Sequence, residues 1–123
     1  MNLPDITNNN VASFFDKETI VIQTAEQIMK DFGMFGVTIT FSGNIEKAYN
    51  ELHEQLTNQI AHLHSNNSQK LLSVLYQVDI SKRQLEKSQQ ELPQYTYTEL
   101  MAHEVIVREL KKVLMRQYFK SQS

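Results

Sequence analysis

The sequence predicts a mainly α fold, an antiparallel bundle of about four helices with one short β-strand, and three observations carry that expectation. Apolar residues recur at alternating steps of three and four in four separate stretches. One stretch, residues 35–41, changes to a period of two. Gly33, Gly36, Gly43 and Pro93 fall between the periodic runs rather than inside them. A chain of 123 residues holds one domain with a modest core.

Residues 1–13 contain Pro4 and the run Asn8, Asn9, Asn10 with little to bury, and read as a flexible arm ahead of a single helical domain at residues 14–123. Phe14 and Phe15 are expected to dock on the core where the arm ends. The first helix is predicted over residues 17–32 from Val21, Ala25, Ile28, Met29 and Phe32, with Asp16 as N-cap and Gly33 as a left-handed C-cap. Its opening residues 19–22 are β-branched enough to suit a strand as well.

Val37, Ile39 and Phe41 alternate with Thr38 and Thr40, which predicts the strand. A lone strand leaves backbone groups unpaired, so a partner is needed. The chain offers no other good strand, which favours pairing across a homodimer. Ile45, Tyr49, Leu52, Leu56, Ile60 and Leu63 predict the second helix over residues 44–64. A turn at 65–67 and an N-cap at Ser68 then make it the first arm of an antiparallel hairpin. The third helix is predicted over residues 68–90. Its charge-free first half, with Leu71, Leu72, Val74, Leu75, Tyr76 and Val78, covers more of the circumference than one buried stripe requires, so neighbours are expected on several sides. Pro93 ends it. Thr96 with Glu99 forms a capping-box pattern opening the last helix, residues 97–119, with the apolar face Leu100, Ile106, Val107, Leu110, Val113, Leu114 and Tyr118. Met101, Val105, Met115 and Phe119 lie on its other side, which suggests that this second face packs on another subunit.

Composition removes several function classes. There is no cysteine, hence no disulfide, thiolate metal site or cysteine nucleophile. Residues 1–10 have neither a basic nor an apolar region of the signal-peptide kind, and no apolar run approaches the roughly 20 residues of a membrane span, so a cytoplasmic protein without membrane contact is expected. Residues 1–66 carry 3 Lys and Arg against 8 Asp and Glu, while residues 67–123 carry 9 against 6. The favoured reading of this asymmetry is attraction between the halves, within the fold or across an oligomer, over a basic binding face.

Two candidate sites stand out. In the second half of the third helix Asp79, Lys82, Arg83 and Glu86 occupy the arc that apolar residues use one or two turns earlier, with favourable Asp79–Arg83 and Arg83–Glu86 spacings. His103 lies in the apolar arc of the last helix one turn after Glu99. A hairpin about Pro93 would bring His103 opposite Arg83. Asp79, Arg83, Glu86, Glu99 and His103 therefore form a candidate polar cluster, for which a solvated ion-pair network is favoured over ligand binding. A metal held by Glu86, Glu99 and His103 suits bundle sites in type, but Glu-x-x-His spacing is absent and Lys82 and Arg83 would repel a cation, so neither metal nor cofactor is expected. His53, His62 and His64 read as surface residues. The second candidate is a basic stripe of Arg108, Lys111, Lys112, Arg116 and Lys120 that could contact phosphates, diluted by Glu104 and Glu109.

The chain has no glycine-rich phosphate loop, nucleophile elbow or zinc-protease motif, and general acid/base work by Glu99 with His103 would use generic parts. The function expected is a non-enzymatic protein–protein interaction or scaffold role with self-association, working through the strand edge and the outer face of the last helix. A nucleic-acid binder using the basic stripe, and a small-molecule or metal binder using the polar cluster, are the alternatives.

Overall fold

The computed structural model describes residues 17–122, apart from the side chains at 118 and 120–122. The arm, the docking of Phe14 and Phe15 and the Asp16 cap lie outside the described residues. Among them are five helices: α1 Glu18–Gly33, α2 Ala48–Asn66, α3 Ser68–Val78, α4 Lys82–Glu91 and α5 Tyr97–Gln122. No helix among the described residues is long and apolar enough to cross a membrane.

The fold is a helical bundle built around α5, which packs against each of the other four helices. Residues 100–107 are consecutively buried. Met101 and Val105 are therefore core residues at 3% and 0% exposure, and a second subunit is not needed to explain them. A helix enclosed on every side is apolar on every side. Around it sit Val21, Ala25, Ile28 and Phe32 of α1, Leu52, Leu56, Ile60 and Leu63 of α2, Leu71, Val74 and Val78 of α3 and Leu85 of α4. Each large aliphatic or aromatic side chain so buried stabilises the fold by about 2 kcal/mol before the entropy of ordering it is counted.

α1 begins helically at Glu18, so residues 19–22 are not a strand. It does not end on a left-handed glycine at 33. Met34 caps it in a right-handed conformation, and the positive φ of 75° falls at Gly36, in a turn that returns the Val37 N–H to the Phe32 carbonyl at 3.0 Å. Gly36 is the residue that can adopt this geometry without strain.

No strand forms among the described residues, which corrects the prediction for residues 35–41 and removes the basis for pairing it across a dimer. The alternation itself is real: Val37 and Ile39 are buried while Thr38 and Thr40 are exposed. The segment runs extended along α2, whose side chains supply the partners a neighbouring strand would have given. Gln55 accepts from the Thr40 N–H at 2.9 Å and its amide donates to the Thr40 carbonyl at 2.7 Å. Glu51 accepts from the Ser42 N–H at 3.0 Å and from its hydroxyl at 2.9 Å. The Thr40 N–H and carbonyl and the Ser42 N–H are thus satisfied without a sheet.

α2 starts four residues later than predicted, after a turn in which Asn44 accepts from the Lys47 N–H. α2 and α3 are joined through Asn67 alone, and Asn67 rather than Ser68 is the N-cap, accepting from the Lys70 N–H at 3.1 Å. The predicted third helix is broken. Asp79 adopts φ 72°, its N–H reaches Tyr76 O and the Ile80 N–H reaches Leu75 O at 3.0 Å, a Schellman stop with Asp in place of glycine. Half-buried Ile80 and Leu75 both pack against the core. Ser81 restarts the chain as N-cap of α4, accepting from the Gln84 N–H at 3.1 Å. α4 then leads through the turn at 92–96 into α5. α1 lies antiparallel to α5, since Gln23 meets Gln117 while Asp31 meets Lys112.

Candidate functional site

The break at Asp79 dismantles the predicted polar cluster. Restarting the helix at Ser81 resets its phase, so α4 turns Leu85 and Ser88 towards α5 and leaves Arg83 and Glu86 exposed. Asp79 pairs with Arg108 at 2.8 Å instead of Arg83. Glu99 serves the reciprocal capping box expected of it: it accepts from the Thr96 N–H at 2.8 Å, and its own N–H reaches the Thr96 hydroxyl at 3.3 Å. Donation to the carboxyl from the Thr96 backbone, and then from its side chain, holds Glu99 below the ordinary value. No set of three or more histidine or acidic side chains among the described residues is placed to hold a metal ion.

His103 stays central, with other partners. Tyr49 Oη lies 2.5 Å from His103 Nδ1 and 3.1 Å from Tyr95 Oη, and His53 Nε2 reaches the Glu99 carbonyl at 2.8 Å. The rings pack as well: Tyr49 stacks on His53 at 5.3 Å between centroids, and His53 on Tyr95 at 5.2 Å. His53 is thus not a plain surface residue, whereas His62 bonds Asn66 in the open. Burial, reinforced by the charge of His53, pushes His103 down to about 4. Burial also raises the Tyr49 phenol, followed by its bond to Tyr95. A neutral imidazole therefore faces a protonated phenol, and donation from Tyr95 to Tyr49 to Nδ1 fits both. This is a joint locking the start of α2 to the start of α5.

The basic stripe is largely used inside the fold. Arg108 is tied to Asp79, and Lys112 stands 3.0 Å from Glu109 and 3.8 Å from Asp31. Lys111 is half-buried and Arg116 exposed, and the Lys120 side chain lies outside the described residues. Glu104 and Glu109, which the helical wheel sets on the outer face, are instead 5% and 0% exposed. Ser88 donates a short hydrogen bond to Glu104, whose carboxyl burial nevertheless raises.

Glu109 belongs to a buried pair of carboxyls between α1 and α5. Asp31 of α1, 2% exposed, shares Lys112 with it and also accepts from Gln27 Nε2 at 3.1 Å. With both groups ionised, Asp31 Oδ2 and both Glu109 oxygens are buried without a hydrogen bond; Lys112 meets Glu109 Oε1 as an ion pair, and a proton on Glu109 supplies the donor that the two carboxyls otherwise lack. Burial pushes Glu109 up to about 8, and the Asp31 carboxyl adds to the rise. Burial would raise Asp31 too, but hydrogen bonds from Glu109 and Gln27, the Lys112 charge and Gln77 outweigh it and hold Asp31 low. At neutral pH the two carboxyls carry one proton, on Glu109 and shared with Asp31.

Above this pair runs a groove between α1 and the end of α5. One part, about 460 Å³, is lined by Gln27, Lys112, Met115, Arg116 and Phe119, and is mostly apolar. A more polar part of about 560 Å³ continues from Gln27 and Arg116 to Gln23, Glu26, Lys30 and Gln117. Met115 and Phe119 are 42% and 61% exposed there, one helical turn apart. They are the exposed part of the second apolar face. No family model, curated protein or solved structure matches the chain.

Proposed function

We propose that this chain is a non-enzymatic protein-interaction module, and that it takes an apolar segment carrying carboxylates into the groove between α1 and the end of α5. The observation that carries the reading is the pair Met115 and Phe119, exposed side by side, with Lys30 and Arg116 outnumbering Glu26 along the same groove. An exposed apolar pair gains from being covered, and a cationic border selects acidic partners and steers them. A two-fold copy of the same patch would set Arg116 and Lys30 against themselves, so a heterologous partner fits better than the self-association expected from sequence. The nucleic-acid reading is weakened because Arg108 and Lys112 are already engaged.

The test uses two fluorescent synthetic helical peptides with identical leucine positions, one with glutamate and one with lysine at the remaining sites, followed by anisotropy. Saturable binding of the acidic peptide alone, weakened by salt and abolished by Phe119→Glu, is expected. Equal binding of both peptides, or of neither, overturns the reading. Light scattering on a sizing column supplies the oligomeric arm: a mass of 14.3 kDa agrees with a heterologous partner, and twice that points to a second copy in the groove.

A further inference from the structure

We propose that the groove is proton-linked: the buried Asp31–Glu109 pair holds one proton, and releasing it lowers the affinity of the groove for an acidic segment. This deepens the protein-binding reading and rests on it for the identity of the occupant. The geometric basis is that two groove-lining residues are also the ones that serve the pair. Gln27 donates to Asp31 at 3.1 Å, and Lys112 faces both Glu109 at 3.0 Å and Asp31 at 3.8 Å.

With both carboxyls ionised, these three buried oxygens have only the Lys112 ion pair to meet them, and a proton held by Glu109 supplies the missing donor. With one proton, the pair carries one negative charge, which Lys112 balances. Without it, a second negative charge appears beneath the groove and claims Lys112 and Gln27 more strongly. Both effects oppose an incoming carboxylate, so affinity falls as pH rises, and by reciprocity a bound acidic segment helps the pair keep its proton. The charged groups acting on the pair are each carboxyl on the other, from α1 and α5, and Lys112 from α5. α3 contributes only the neutral Gln77, and no group of α2 or α4 is among those that shift either carboxyl. Titration of Glu109 up to about 8 places the change within reach of neutral pH.

Methionine methyl NMR tests the coupling without any partner. In the full chain labelled with ¹³C-methyl methionine, the Met115 signal is followed from about pH 6 to about pH 9, with core Met101 as reference. Met115 is expected to shift with the midpoint of the Glu109 carboxyl carbon, and to stop shifting in Glu109→Gln. Asp31→Asn serves as a second variant that also removes the carboxyl pair. For the acidic peptide, affinity is expected to fall about three- to tenfold over that range in the parent and to stay flat in both variants. A Met115 signal that ignores pH, or that shifts equally in both variants, overturns the proposal. Absence of peptide binding with Met115 still following Glu109 overturns the protein-binding reading and leaves the proton coupling standing.

Discussion

Stability should fall, not rise, as the protein is taken from slightly acidic to alkaline pH, and Glu109 is the reason. In the folded chain its carboxyl titrates at about 8, against the ordinary 4.5. Between those values the folded state holds one proton more than the unfolded state, and stability drops by about 1.4 kcal/mol per pH unit. His103 works in the opposite sense, since it titrates at about 4 when folded and near 6.5 when unfolded. Over that interval the unfolded state holds the extra proton, so stability drops as pH falls. From pH 4.5 to 6.5 these two slopes oppose each other, and the raised Glu104 adds to the decline above 4.5. Above 6.5 the slope of His103 is spent, and Glu109 removes about 2 kcal/mol by pH 8. Urea unfolding followed by circular dichroism should show the midpoint moving down by about 1 M over that window. Glu109→Gln keeps the shape, removes the titration and should stabilise the protein at pH 8 by about 1–3 kcal/mol, part of the gain being offset by the lost ion pair with Lys112. A parent profile that is flat or rising from pH 6.5 to 8, together with a variant less stable than the parent at pH 8, would refute the buried-pair account.

Other outcomes follow from individual contacts. Gln55→Ala leaves the backbone N–H, carbonyl and hydroxyl of Thr40 to water and should cost about 1 kcal/mol, with faster amide exchange at Thr40 as the local readout. Asp79→Gly relieves a left-handed conformation while losing a largely exposed ion pair, and should change the unfolding free energy by under about 1 kcal/mol, whereas Asp79→Ala should cost about 1 kcal/mol more than the glycine variant. Tyr49→Phe removes the hydroxyl facing His103 and should cost about 1–2 kcal/mol in thermal unfolding at neutral pH.

The helices and most of their core faces were legible from spacing, because the period of a helix is written in its buried residues. The Thr96–Glu99 cap was legible for the same local reason. The break at Asp79 was not, since the apolar pattern of α3 runs into the charged α4 without a glycine or proline. A local signal was present in Ser81 followed three residues later by Gln84, a capping-box spacing that marks a new helix start. Residues 37–41 show the limit of periodicity: alternation reports one buried face, and cannot say whether a strand or the side chains of Gln55 and Glu51 satisfy the other edge. The site was the least legible part. Glu104 and Glu109 read as solvated charges on a helical wheel, although the apolar residues on every side of α5 already implied that charges among them would be buried.

The central position of α5 also has a kinetic consequence. The helices that enclose it precede it in the chain, and the Gln23–Gln117 contact closes a span of 94 residues. Helical bundles with short-range contacts fold fast, and long spans slow the search by the entropy of closing them. α1 has little of its own to pack against until the final helix exists. Growing from its N-terminus, the chain gathers its first four helices without the element that unites them, and cooperative folding waits until the segment from Tyr97 onward has been made.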